Sequence, residues 1–161
     1  MEENWVDEVS WADPQIRRDY EAALGRVILA HNALDYYLGL VLEVELARRG
    51  LDAIEALQPK PFERRLRLLQ QLAVGSDDPY VRNLRYEDAA RLNTDRNKLA
   101  HGYFEQNPFD GDYLILAQGQ RHDYPLARLE EIRAALDAHA EAFREAYLVA
   151  HFDPLPPLSE A

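Results

Sequence analysis

The 161-residue chain contains no cysteine, which excludes disulfides and thiolate metal ligation and fits a reducing compartment. Its seven glycines never fall at G-x-G-x-x-G or Walker spacing, so no glycine-rich phosphate loop is present. Serine occurs only at Ser10, Ser76 and Ser159, none in a nucleophile-elbow context. The five histidines lack H-E-x-x-H or any other recognisable ligand spacing, and neither a metal nor a cofactor is expected. No apolar run approaches the roughly 20 residues that span a bilayer. The start, MEENWVDEVSWADP, is acidic and lacks the basic and apolar regions of a signal peptide. A cytoplasmic chain with no membrane association is the expectation.

What is present reads as one folded domain. Apolar residues make up 47% of the chain, enough for a real core at this length. The net charge of −11 argues against broad, sequence-independent nucleic-acid binding, where a basic surface supplies most of the affinity. The charge is uneven, however. Glu2, Glu3, Asp7, Glu8 and Asp13 crowd the first 13 residues without a Lys or Arg. Between 60 and 98, Lys60, Arg64, Arg65, Arg67, Arg82, Arg85, Arg91, Arg96 and Lys98 outnumber the acidic residues. A local basic patch is one reading of that segment, and solvated helix faces paired at i, i+4 are the other.

Periodicity predicts mostly helix. Asp13 is an N-cap with Pro14 in the first turn, and Gly50 is a stop, so a long helix is predicted from 14 to about 49. Its apolar stripe runs Tyr20, Leu24, Val27, Leu34, Leu38 and Val41. A short helical connection is read at 51–57, and an amphipathic helix at 62–73. A second long helix is predicted from the Asp77-Asp78-Pro79 start to Ala100 or His101. The texture then changes. Asn107-Pro108 and Asp110-Gly111 mark turns, Tyr113–Ala117 has strand composition, and a second strand is expected near Tyr103–Glu105. Residues 103–124 thus read as a small hairpin or an ordered loop. A last helix, from Pro125 to about Ala150, carries Leu129, Ile132, Leu136, Phe143 and Tyr147. The domain is bounded as 14–150, between an acidic segment (1–13) and a proline-rich tail (151–161).

Most of the chemistry is concentrated in RNKLAHGY, residues 96–103. Gly102 suits a left-handed position just past a helix end, which puts His101 in the last turn. There the exposed carbonyls favour an imidazolium, and the ring is suited to giving or taking protons near neutral pH. Asn97 lies one turn before His101 on the same face. Arg96 lies five residues before it, about 140° around an ideal helix. Arg supplies fixed charge to a phosphoryl group and His supplies proton transfer, the pair that metal-free RNA cleavage requires. The plainer reading is a C-terminal cap histidine beside a polar helix surface.

R-N-x-x-A-H-G at a helix end resembles the R-x4-6-H signature of HEPN domains, on Arg96, Asn97 and His101. The helical frame is similar too, over roughly 14–150. The acidic balance and the hairpin depart from the simplest HEPN pattern. The resemblance implies a mainly α fold, a four- to five-helix up-and-down bundle, to which the residues at 103–124 add a small β-hairpin before the last helix. It also implies a homodimer that brings two motif copies together. Many members are metal-independent endoribonucleases, often toxins or defence effectors, with RNA as substrate. Carried over, His101 is the acid/base group, Arg96 stabilises charge on the phosphorane, and Asn97 positions one of them. Arg96, His101 and Tyr103 also satisfy R-x4-H-x-Y. That variant is similar to HEPN toxins paired with a nucleotidyltransferase antitoxin, in which the tyrosine can be adenylylated. The plainer expectation for Tyr103 is an aromatic residue packing on the bundle. A non-catalytic HEPN-like module that binds nucleotides or a protein partner is the alternative reading of the whole chain.

Other polar residues are secondary. His31 falls on the apolar stripe with Asp35 one turn on. It reads as a hydrogen-bonded core histidine or, alternatively, as support for the site. Asp88 and Asp95 share the Val81–Leu84–Leu92–Leu99 face and need partners if buried, and Asp95 is a further candidate for supporting the site. His122, His139 and His151 read as surface residues. The aromatic stretch from Tyr103 to Tyr113 can stack bases, although packing explains it as well.

Overall fold

The first helix, α1 (Pro14–Ala47), starts where its cap signals place it: the Asp13 carboxylate accepts from the Gln15 backbone N–H at 2.8 Å, with Pro14 in the first turn. It ends two residues earlier than expected, and Gly50 takes a positive φ of 66° just beyond it. This computed structural model describes residues 11–51 and 61–152. The short helix expected at 51–57 falls almost wholly outside the described residues, as do most of the acidic start and most of the proline-rich tail.

The remaining helices are α2 (Phe62–Val74), the single turn α3 (Pro79–Arg82), α4 (Tyr86–His101) and α5 (Leu126–Phe152). One long helix was expected over 77–101, and here the structure differs. Asp78 caps α3 through Tyr80 N–H at 2.8 Å, but the chain breaks at Asn83–Arg85 before α4 begins. Neither glycine nor proline marks the break. Tertiary packing holds it: Leu84 and Tyr86 are buried, Tyr86 donates its hydroxyl to Val81 O at 2.7 Å, and its ring meets Phe143 of α5 edge-on.

Three strands, not two, separate α4 from α5. β1 (Tyr103–Gln106), β2 (Tyr113–Ala117) and β3 (Gln120–Asp123) form an antiparallel sheet in the order β1-β2-β3. Tyr103 pairs with Leu116, and Leu114 with Asp123. The third strand, QRHD, is polar and sits at an edge, so it carries no apolar alternation by which to find it. Its turn is marked instead by positive φ at Gln118 and Gly119, the backbone that tight hairpins need.

α1 packs most extensively against α5, and α2 and α4 complete the helical core beside it. The predicted stripe is the buried one: Tyr20, Val27, Leu34, Leu38 and Val41 face Leu129, Ile132, Leu136 and Phe143 within one cluster. An 18-residue window of α1 reaches a mean hydropathy of 1.3, long and apolar enough by composition to cross a bilayer. In this fold its apolar stripe belongs to the core. At the end of α1, Glu45 is 1% exposed and is paired with Arg48 (3.0 Å) and Arg49 (2.6 Å).

Candidate functional site

Asn93, Arg96 and Asn97 stand at i, i+3 and i+4 of α4, so helical spacing puts them on one face. That face meets His31 and Asp35 of α1 and Phe62, Glu63 and Arg65 of α2 around a cavity of about 400 Å³. Arg96 Nη1 donates to Asn97 Oδ1 at 3.1 Å, and Arg96 has no carboxylate partner among the described residues. Its Nε is buried without a hydrogen-bond partner. Arg65 is ion-paired with Asp35 across the α1–α2 contact.

His31 is only 3% exposed. Its Nε2 donates to Asn93 Oδ1 at 2.9 Å, its ring lies 4.9 Å from that of Phe62, and Nδ1 has no partner. Burial pushes its pKa below the ordinary histidine value, and the Arg96 charge pushes the same way. The Asn93 bond and Asp35 oppose the shift. His31 is thus the hydrogen-bonded core histidine of one sequence reading, and it also lines the cavity of Arg96.

His101 does not line this cavity. It is exposed in the last turn of α4, one turn beyond Asn97 and about 140° around an ideal helix from Arg96. Within one chain, therefore, Arg96 and Asn97 line the cavity and His101 lies outside it. The reason for Gly102 also changes. Its φ is −74° and ψ 160°, ordinary extended backbone and not the left-handed cap that was expected. Glycine is needed because a Cβ there would sit 2.3 Å from Ile115 Cγ2 and 2.4 Å from Lys98 O. The strand β2 runs close against the helix end.

Tyr103 is 77% exposed, contrary to the expectation that it packs on the bundle. Strand alternation turns Phe104 inward instead, where it meets Tyr20 edge-on at 6.1 Å. Tyr113, the other end of the aromatic stretch, stacks on Tyr20 at 4.1 Å.

Asp95 lies outside the cavity. It accepts from the Tyr124 hydroxyl at 2.5 Å and lies 3.6 Å from Arg128, tying α4 to the start of α5. Asp88 pairs with Arg85 and Arg91 of its own neighbourhood. Of the three histidines expected at the surface, His122 and His139 are half-buried and His151 is exposed. Burial, with Arg85 nearby, lowers the pKa of His139. Among the described residues no group of three or more His, Asp or Glu side chains is placed to hold a metal ion.

No family model, curated protein or solved structure matches the chain. Sequence reasoning missed Asn93 and Arg65. The first was legible as the residue one turn before Arg96 and Asn97 on the same face. Nothing local marked Arg65, whose place depends on α2 docking against α1.

Proposed function

We infer that the chain is a HEPN-like, metal-independent endoribonuclease, a toxin or defence effector acting as a homodimer. The observation that carries this reading is the state of Arg96. Its guanidinium is held by Asn97, has no carboxylate partner among the described residues, and shares its helix with an exposed His101. A guanidinium left uncompensated in this way is available to a phosphodiester. In the reaction, one His101 takes the proton of the RNA 2′-hydroxyl as O2′ attacks the adjacent phosphorus. The P–O5′ bond breaks, and a second His101 from the paired protomer protonates the leaving O5′. The products are a 2′,3′-cyclic phosphate and a 5′-hydroxyl, and Arg96 stabilises the charge on the phosphorane. One motif histidine per chain makes two copies the minimum for separate histidine acid and base groups.

Cleavage of varied RNAs in EDTA by the dimeric wild type, His101→Ala and Arg96→Ala tests the reading. Each substitution is expected to lower the rate by at least about a hundredfold. Inert wild-type dimer across those RNAs, or cleavage indifferent to both substitutions, would sink it. In the same reading the exposed Tyr103 hydroxyl, acted on by a nucleotidyltransferase antitoxin, attacks the α-phosphorus of ATP and takes the adenylyl group as pyrophosphate leaves. Intact-mass measurement of wild type and Tyr103→Phe after incubation with such an enzyme and ATP checks this, with the mass increase expected only in the wild type.

One observation favours a second reading, a non-catalytic module that binds a nucleotide or a protein partner. The cavity that holds Arg96 and Asn97 does not include His101. Nucleotide binding without any cleavage by the dimer is the outcome that selects it.

A further inference from the structure

His31 Nδ1 and Arg96 Nε are both buried without a hydrogen-bond partner, and both side chains line the same cavity. A buried polar atom left without a partner is costly, so two of them on side chains that line one cavity point to a ligand that satisfies both. Arg96 Nε–H is a donor at every accessible pH. His31 depends on its proton. Because Asn93 Oδ1 accepts from Nε2, the neutral ring leaves Nδ1 as a bare acceptor, and proton uptake turns Nδ1 into a second donor.

We propose that the cavity between α1, α2 and α4 binds a phosphoryl oxyanion through Arg96 Nε–H and protonated His31 Nδ1–H, taking up one proton as it does so. The inference deepens the ribonuclease reading, since it shares its Arg96, and makes His31 a phosphate-binding residue. The other charged groups around His31 are Asp35 on its own helix and Glu63 and Arg65 on α2. Asp35 and Arg65 pair with each other, and Glu63 is exposed, so solvent screens its charge more than that of Arg96, whose Nε is buried. In the free protein, burial and Arg96 keep the His31 ring neutral more strongly than Asn93 and Asp35 favour its charge. An oxyanion beside Arg96 reverses the sign of that field. The volume, about 400 Å³, lies within the range of small-ligand sites of about 300–1,000 Å³, so the oxyanion can carry a nucleoside. It can come from a free nucleotide or from an RNA backbone.

Calorimetric titration with a mononucleotide, with inorganic sulfate and with a 2′-deoxy dinucleoside monophosphate distinguishes the sources. The last probe lacks the attacking hydroxyl, and its phosphodiester stays singly charged from about pH 5 to about pH 8, the interval in which histidine titrates. Affinity for it is expected to rise on acidification, approaching tenfold per pH unit while the free ring is neutral and the bound ring charged. Side-chain ¹⁵N resonances of His31 in the wild type should show Nδ1 gaining a proton on binding. His31→Gln, which can still donate to Asn93, should lose the pH dependence, and Arg96→Gln should weaken binding at least about tenfold. Preference for the mononucleotide assigns a free nucleotide, and preference for the dinucleotide assigns the RNA backbone; both support the pocket. No binding of any probe, or binding with the His31 ring neutral throughout, overturns it. Because the deoxy probe cannot be cleaved, binding by a protein inert toward RNA overturns the ribonuclease reading alone.

Discussion

Gly102 shows how one residue can be right for a reason the sequence does not reveal. A glycine after a helix suggests a left-handed cap, but the backbone there is extended and the demand is for space against Ile115 and Lys98. Gly102→Ala is accordingly expected to destabilise the fold by about 1–3 kcal/mol, the cost of overpacking a tight contact. Urea denaturation measures it, and a change below about 0.5 kcal/mol, ordinary for a surface position, contradicts the tight approach. The same junction decides the fate of its neighbours. Once β1 leaves Gly102 in extended form, alternation sends Phe104 toward Tyr20 and leaves Tyr103 in solvent.

Between elements, the polar contacts carry as much information as the apolar ones. Asp95 shares α4 with Arg96 but serves a different junction, accepting from the buried Tyr124 next to α5. Arg128 lies over the Tyr124 ring at 4.2 Å and close to the same carboxylate. Tyr124→Phe removes a hydrogen bond to a charged group that is partly solvated, and is expected to cost about 1–2 kcal/mol. Thermal unfolding reads the loss. RNA cleavage by the folded variant should stay within about threefold of wild type, since a structural contact acts on neither ground nor transition state. A loss of cleavage comparable to that of His101→Ala would place Asp95 in the site after all. The α3–α4 break belongs here too: Tyr86 is needed against Phe143 of α5 and Leu84 in the core, and a continuous helix would turn them elsewhere.

Taken over the molecule, the titrating groups define a stability window. His31 and His139 have pKa values lowered by burial, so below about pH 6.5 the unfolded chain binds protons that the folded chain resists. Stability therefore falls on acidification from that point and levels only once the folded-state pKa values are passed. At the other end, burial raises Tyr20 to about 12, and Tyr86 and Tyr124 rise as well. Above about pH 10 the unfolded chain ionises first, and stability falls again. Chemical denaturation across pH should show a dome with both limbs. His31→Gln should flatten part of the acid limb and leave the alkaline one. An acid limb unchanged in that variant means that His31 titrates no differently in the fold than in the open chain.

Much of this protein was determined by local chemistry. The cap at Asp13-Pro14, the stripe from Tyr20 to Val41, the helix at 62–74 and the apolar positions of α5 follow from 3.6-residue spacing and capping residues, because those effects act within a few residues. The Arg96–Asn97 pair was legible in the same way, as a motif on one helix. Only the tertiary structure decided the rest. The break before Tyr86, the polar strand β3, the space around Gly102 and the pairing of Arg65 with Asp35 depend on which element lies opposite, which no short window contains. His31 illustrates the division. Its place on the apolar stripe came from periodicity, but its company of Asn93, Phe62 and Arg96 exists because α1, α2 and α4 pack together. That packing sets both its loss of charge in the free protein and its proposed gain of a proton with an anion bound.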